Sequence, residues 1–210
     1  MKTITKSLKW LLIIFLITAV VACKKKERDD AVETINKEEM KRKIADIIPV
    51  QYQDTLTKLG ISLNQETTPP MLEGAYAFKP LRLLKSNRTQ DVANMSFVDG
   101  SIKFFAQDSE NNIKLIGKSL LNSADTSLVT AISGNGNNFT VYGKVKSVRG
   151  SDSAIFGIII SGEKDGTQLR NIRYGLINID NSKGGTSFIK QGEARVVFDT
   201  DQVSPTISVF

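Results

Sequence analysis

The chain has 210 residues, a formal charge of +6, one cysteine and no histidine. Without histidine, Ser-His-Asp and Cys-His nucleophiles and Cys/His zinc sites are excluded. Oxygen-ligand cations such as calcium, a carboxylate pair or a Ser-Lys dyad remain formally open, and no constellation for either catalytic device is visible. Basic residues cluster only at Lys24-Lys25-Lys26, so no nucleic-acid footprint is expected elsewhere.

Lys2, Lys6 and Lys9 precede an apolar run from Trp10 to Val21 that ends in the small residue Ala22, the pattern of a secretory signal. Val20-Val21-Ala22-Cys23 resembles the bacterial lipobox. That resemblance implies cleavage after Ala22 and a diacylglycerol with an N-acyl chain on Cys23, an anchor that buries enough methylenes to be nearly permanent. The alternative is an uncleaved transmembrane helix, for which the run is just long enough. Removing residues 1–22 takes away three lysines and no acids, leaving +3. With its only thiol lipidated, the mature chain has no intramolecular disulfide, and the fold must rest on packing.

Residues 23–35 are charge-dense and read as a flexible tether. Its lysine-then-acid order is similar to the surface-export signal of Bacteroidetes lipoproteins, which implies the outer membrane, at its periplasmic face or the cell surface. Asn36-Lys37-Glu38-Glu39 fits a capping box before Met40, Ile44, Ile47 and Ile48 at helical spacing. Pro49 is expected to break the helix, and Tyr52, Leu56 and Leu59 continue a stripe that Gly60 ends. Residues 36–61 thus predict a helical hairpin packed on the β domain.

That domain starts after Thr67-Thr68-Pro69-Pro70, where the pattern becomes short apolar or alternating runs between turn residues, and residues 70–210 predict antiparallel β structure. Expected strands are Glu73 to Phe78, Met95 to Val98 and Ile102 to Ala106 as a hairpin about Asp99-Gly100, Ile113 to Ile116, Ser127 to Ile132 and Phe139 to Val145. Ile155 to Ser161, a strand through Ile172 to Ile179, Ala194 to Phe198 and Ile207 to Phe210 complete the set. Ile158-Ile159-Ile160 is apolar on both pleat faces, so it must be covered twice, by a helix on one side or by a second sheet.

Pro69 to Tyr76, Ser133 to Tyr142 and Ile160 to Glu163 resemble segments of small Bacteroidetes lipoproteins of unknown function, and Gly74-Ala75-Tyr76 is similar to the Gly-x-Trp opening of lipocalins without its tryptophan. The resemblance implies a lipid-anchored extracytoplasmic β domain with no activity to transfer. The expected fold is therefore mainly β, an antiparallel meander barrel of lipocalin-like form or a β-sandwich, preceded by two short α-helices. An outer-membrane barrel is set aside, because the strands lack aromatic girdles and lipid-facing alternation.

Three function classes are consistent with these features: a binding or partner-interaction domain, a lipocalin-like carrier of a small apolar ligand, and, last, a carboxylate-based hydrolase. No catalytic residue, cofactor or metal is assigned. Expected partners are the membrane through Cys23 and a small molecule, glycan or protein, not nucleic acid; the oligomeric state is left open. Tyr76, Tyr142, Tyr174 and Arg173 suit a sugar or acidic ligand, although tyrosines in apolar strands are more often half-buried with the hydroxyl at the surface. Glu163 and Asp165 straddle a turn and suit calcium weakly. Phe104, Leu115, Phe139, Val141, Ile158, Ile160, Tyr174, Leu176 and Phe198 are expected to fill the interior largely at both ends, leaving ligand contact to loops Gly134 to Asn138 and Asn181 to Gly185. The ligand-binding candidates are Tyr76, Arg173, Asn137 and Asn138.

Overall fold

The computed structural model describes residue 26, residues 28–120 and residues 123–210; Ala22 and Cys23, and so the signal and lipid site, lie outside the described residues. The chain divides into two units, residues 1–39 and 40–210. In the first, residues 28–39 are helical, so Asn36 sits inside helix and does not cap its first turn. The segment read as a tether supports this helix itself: Glu33 pairs with Lys37 one turn on at 2.9 Å, and the Thr34 hydroxyl donates to Asp30 O.

In the second unit, residues 40–47 are helical (α1) and Val50–Lys58 forms a further helix, α2, with the break at Ile48-Pro49 where proline has no N–H to continue the ladder. Pro49 O accepts from Tyr52 N at 2.9 Å, which starts α2. At the other end Gly60 adopts φ +107° and Ile61 N returns to Leu56 O, a C-terminal cap that requires glycine's left-handed freedom.

The rest is one eleven-stranded sheet. Its strands are β1 (Thr67–Thr68), β2 (Gly74–Phe78), β3 (Leu81–Ser86), β4 (Gly100–Phe105), β5 (Lys114–Leu120), β6 (Ser123–Asn135), β7 (Asn138–Arg149), β8 (Asp152–Asp165), β9 (Gln168–Lys183), β10 (Ala194–Asp199) and β11 (Val203–Ser204). The spatial order is β2-β4-β5-β6-β7-β8-β9-β10-β3, antiparallel throughout; only the short β1 pairs parallel, with the end of β6. The first and last strands of that path, β2 and β3, are joined by only Lys79 and Pro80, so the chain itself draws the two ends of the sheet together into a nearly closed barrel. The C-terminal segment reinforces the join. β11 pairs with Leu169 and Arg170 of β9, Ala77 N donates to Pro205 O, and Ile207 N donates to Ala75 O.

The pleat divides the apolar residues into two cores. Inside the barrel lie Phe78, Ile102, Phe104, Leu115, Phe139, Val141, Ile158, Ile160, Tyr174, Leu176 and Val197. Outside, Met40, Ile44, Ile47, Ile48, Leu56 and Ile61 cover Tyr142, Ile159, Ile177 and Val196. Ile158 and Ile160 thus face inward and Ile159 faces the helices, the double cover that the apolar run demanded. Of the nine residues expected inside, all but Phe198 are there; it is only half-buried, its neighbour Val197 being the one that points in.

Two strand expectations are corrected. Asp99-Gly100 is not a hairpin turn: Gly100 begins β4 without a positive φ, and a side chain there would meet Leu120 Cδ2 at 2.6 Å. Met95 to Val98 instead runs beside β3, with Leu83 N donating to Met95 O and Phe97 N to Leu81 O. The unanticipated β3 alternates Leu81 and Leu83 inward with Arg82 and Leu84 outward. At the C-terminus, Ile207 to Phe210 is not a strand.

Candidate functional site

The interior is not filled at both ends as expected: one end of the barrel is packed around Tyr76 and the other opens into a cavity. At the filled end Tyr76 is buried, its hydroxyl donating to Leu72 O at 3.0 Å and accepting from Lys164 Nζ at 3.0 Å, with Phe104 6.2 Å from it between ring centroids. Tyr76 therefore plugs the barrel and does not face a ligand. Tyr142 lies under the helices with its hydroxyl near Asn64 O, and burial pushes its pKa up to about 12. The expectation of tyrosine hydroxyls at the surface is overturned: Tyr76, Tyr142 and Tyr174 are all fully buried with internal partners.

Asn137 and Asn138 are exposed in the β6–β7 turn at this same end. Asn138 and Arg173 line a groove of about 250 Å³ with Asn64, Glu163 and Asn171, whereas Arg173 is also spent on Gly60 O. Tyr76 and Asn137 do not line it. Glu163 accepts from Asn171 and Asp165 pairs with Arg170, so the two carboxylates are engaged separately. Among the described residues no three acidic or cysteine side chains gather as metal ligands.

The open end holds a different constellation. A cavity of about 210 Å³ is lined by Leu120, Asp125, Ser147, Phe156, Tyr174, Leu176 and Ile189 below and by Arg88, Arg149, Thr186, Ser187, Phe188 and Arg195 around the mouth. Burial grades the two sets: the first are buried, and the second are half-buried or exposed. Asp125 is opposite Ser147 in the β6–β7 register, so their side chains share a face and the Ser147 hydroxyl donates to Asp125 Oδ1. Tyr174 reaches across from β9 and donates to Oδ2 at 3.1 Å.

Asp125 is only 2 % exposed. Burial pushes its pKa up to about 6, opposed by the hydrogen bonds from Ser147 and Tyr174 and by the charge of Arg149. Tyr174 is pushed well up by burial and by the neighbouring Asp125.

Around the mouth, Arg149 donates to Ser187 O at 2.5 Å and lies over the Phe188 ring. Phe188 in turn meets Phe156 edge-on, 5.7 Å between centroids. Arg195 grips Asp91 with two bonds of 2.6 and 2.7 Å, and Arg88 bridges Asp91 and Glu193. The Arg195 bonds, with Ser86 and Arg88 assisting, hold the buried Asp91 carboxyl down to about 2. The arginines are thereby fixed in place by an internal carboxylate, which pre-orients the mouth.

Sequence reasoning missed this site because residues 123–126 read as loop and because β6 carries a register shift between Ser127 and Val129. Alternation extended back from the inward Ile132 through that shift assigns Asp125 to the wrong face. The expected loop Asn181 to Gly185 stops just short of the lining residues 186–189, while Gly134 to Asn138 lies at the far end. No family model, no curated protein and no solved structure matches the chain.

Proposed function

We propose that the protein is a lipid-anchored, extracytoplasmic, non-catalytic binding domain that holds one small ligand in the open mouth of its barrel. The observation that carries this reading is the buried Asp125, tied to Ser147 and Tyr174 at the base of a cavity beside the barrel's apolar core. A shaped cavity with a few convergent polar groups and a perturbed carboxyl is the usual form of a ligand site. Binding is favoured over hydrolysis because, among the described residues, Asp125 is the one carboxylate lining the cavity, and carboxylate-based hydrolysis takes two. An apolar cargo has less support: it would leave the polar groups of the base unpaired.

The address rests on the lipobox-like Val20-Val21-Ala22-Cys23. Among the described residues no helix is long and apolar enough to cross a membrane.

The test is thermal melting of the full chain in detergent with D-glucose, D-glucuronate, inorganic phosphate, agmatine and palmitate in turn. Thr186→Trp, on the exposed rim, serves as the plugged variant. At least one compound should raise the melting temperature of the wild type and not of the variant. No shift from any compound, or shifts that persist in Thr186→Trp, would remove the mouth as the binding site.

A further inference from the structure

We infer that the mouth takes an acidic monosaccharide, a hexuronate, with its hydroxyls on the Asp125–Ser147–Tyr174 base and its carboxylate toward the arginine rim. This rests on the reading of the mouth as a binding site. The first argument is the polarity of the base. An ionised carboxylate offers about four lone-pair sites, and two of Asp125's are taken by Ser147 and Tyr174. Both hydroxyls spend their hydrogens on it, so what they turn to the cavity is oxygen lone pairs. The base is therefore a surface of acceptors. A ligand seated there must bring several donors, because a group that cannot donate leaves buried acceptors unpaired.

Two kinds of ligand end supply such donors, an ammonium and a set of hydroxyls. The rim decides between them. Arg88, Arg149 and Arg195 line the cavity, whereas Asp91 and Glu193, which pair with Arg88 and Arg195, do not, so the charged groups that a ligand meets at the rim are guanidinium N–H donors and not carboxylates, which suits an anionic end better than a cationic one. Hydroxyls meet the base without added positive charge, and a carboxylate at the other end of the same molecule meets planar guanidinium groups suited to it. The walls fit the part between. Phe156 and Phe188 present aromatic surface to the C–H face of a ring, and Leu176 and Ile189 add apolar contact.

Size limits the part of the ligand held inside the mouth to one unit. At roughly 30 Å³ per water the cavity is worth about seven waters, enough for one sugar ring and too little for two.

The experiment is calorimetric titration of the full chain in detergent with D-glucuronate, D-glucose and agmatine, on the wild type, Asp125→Asn and Arg149→Gln. The wild type should bind glucuronate at least about tenfold more tightly than glucose, the factor expected for one charge-assisted contact. Arg149→Gln should lose that preference. Asp125→Asn should weaken both sugars about tenfold or more, with an intact melting transition showing that it folds. Equal affinity for glucose and glucuronate, or a preference for agmatine, overturns the inference. If neither sugar binds but another compound gives a shift abolished by Thr186→Trp, the ligand class falls and the binding mouth stands. If no compound gives such a shift, both fall.

Discussion

Replacing Asp125 with asparagine should make the protein more stable at neutral and alkaline pH, the reverse of what removing a buried hydrogen-bonded group normally does. In the fold the carboxyl titrates at about 6 instead of the ordinary 3.8, because burial disfavours its charge more than Ser147, Tyr174 and Arg149 favour it. A raised folded pKa means that the native state holds the proton more tightly than the unfolded chain. Its stabilising contribution is complete below about pH 4, declines as pH rises and is lost above about 6. Roughly two pKa units at 1.36 kcal/mol each is about 3 kcal/mol.

Asparagine avoids that cost, and its amide has both an acceptor and donors for the two hydroxyls. Part of the gain is offset by weaker, neutral hydrogen bonds, about 1 kcal/mol in all. Urea unfolding followed by circular dichroism should then show Asp125→Asn about 2 kcal/mol more stable than wild type at pH 8. The two should agree within about 1 kcal/mol at pH 4, with equal denaturant slopes. A variant less stable at pH 8, or a difference that does not change with pH, would mean that Arg149 keeps Asp125 comfortably ionised and that the buried-charge argument is wrong.

Asp91→Asn should do the opposite, costing about 2 kcal/mol at pH 7, because the depressed pKa of Asp91 is a stabilisation present above its unfolded value and lost as pH falls from about 4 through 2; the same unfolding assay at pH 7 and pH 3 reads it. Ile159→Ala should cost about 3 kcal/mol by opening a cavity under the helices, whereas Leu128→Ala, exposed on β6, should stay within about 0.5 kcal/mol; chemical denaturation separates them. Cys23→Ser should move the protein from the membrane to the soluble fraction, and a variant that stays membrane-bound with its signal intact would favour a helical anchor. Chelator and reductant should leave the melting temperature unchanged; a loss with chelator would direct attention to Asp199, whose buried Oδ1 has no partner among the described residues and whose pKa is raised to about 7 by burial and by Asp201.

Where the sequence repeats one chemical demand over several residues, the fold could be read from it. Ile158-Ile159-Ile160 required cover on both faces, and the stripe from Met40 to Leu59 was the available supplier. The long hairpins from β6 to β9 announced themselves by alternation and by turns such as Gly136 and Gly166, both in the left-handed region. Errors came where one residue's meaning depends on distant chain. Gly100 looks like a turn beside Asp99, yet it is small because Leu120 from β5 lies across it. Leu81 to Ser86 became a strand because β10 arrives to pair with it, a partner that local pattern does not announce. The mouth was hidden for both reasons at once: a register shift reversed the faces of β6, and Arg88, Arg149 and Arg195 are scattered in the sequence and meet only when the barrel curls.

The closing of that barrel has a kinetic consequence. The strands from β4 to β10 pair with their neighbours in sequence and can assemble as successive hairpins. The join cannot: it unites residues as distant as Leu81 and Asp199, and its clasp, β11 with Pro205 and Ile207, is contributed by the end of the chain. A chain that emerges N-terminus first therefore carries its two outer edges, β2 and β3, without their partners until residues 194–207 have been made. Unpaired edges are where sheets join other sheets, so the vulnerable interval in this protein's life is the one before residues 194–207 are free to pair. Truncation before Val203 should therefore be far more damaging to solubility than loss of the exposed Ser208 and Val209 would be.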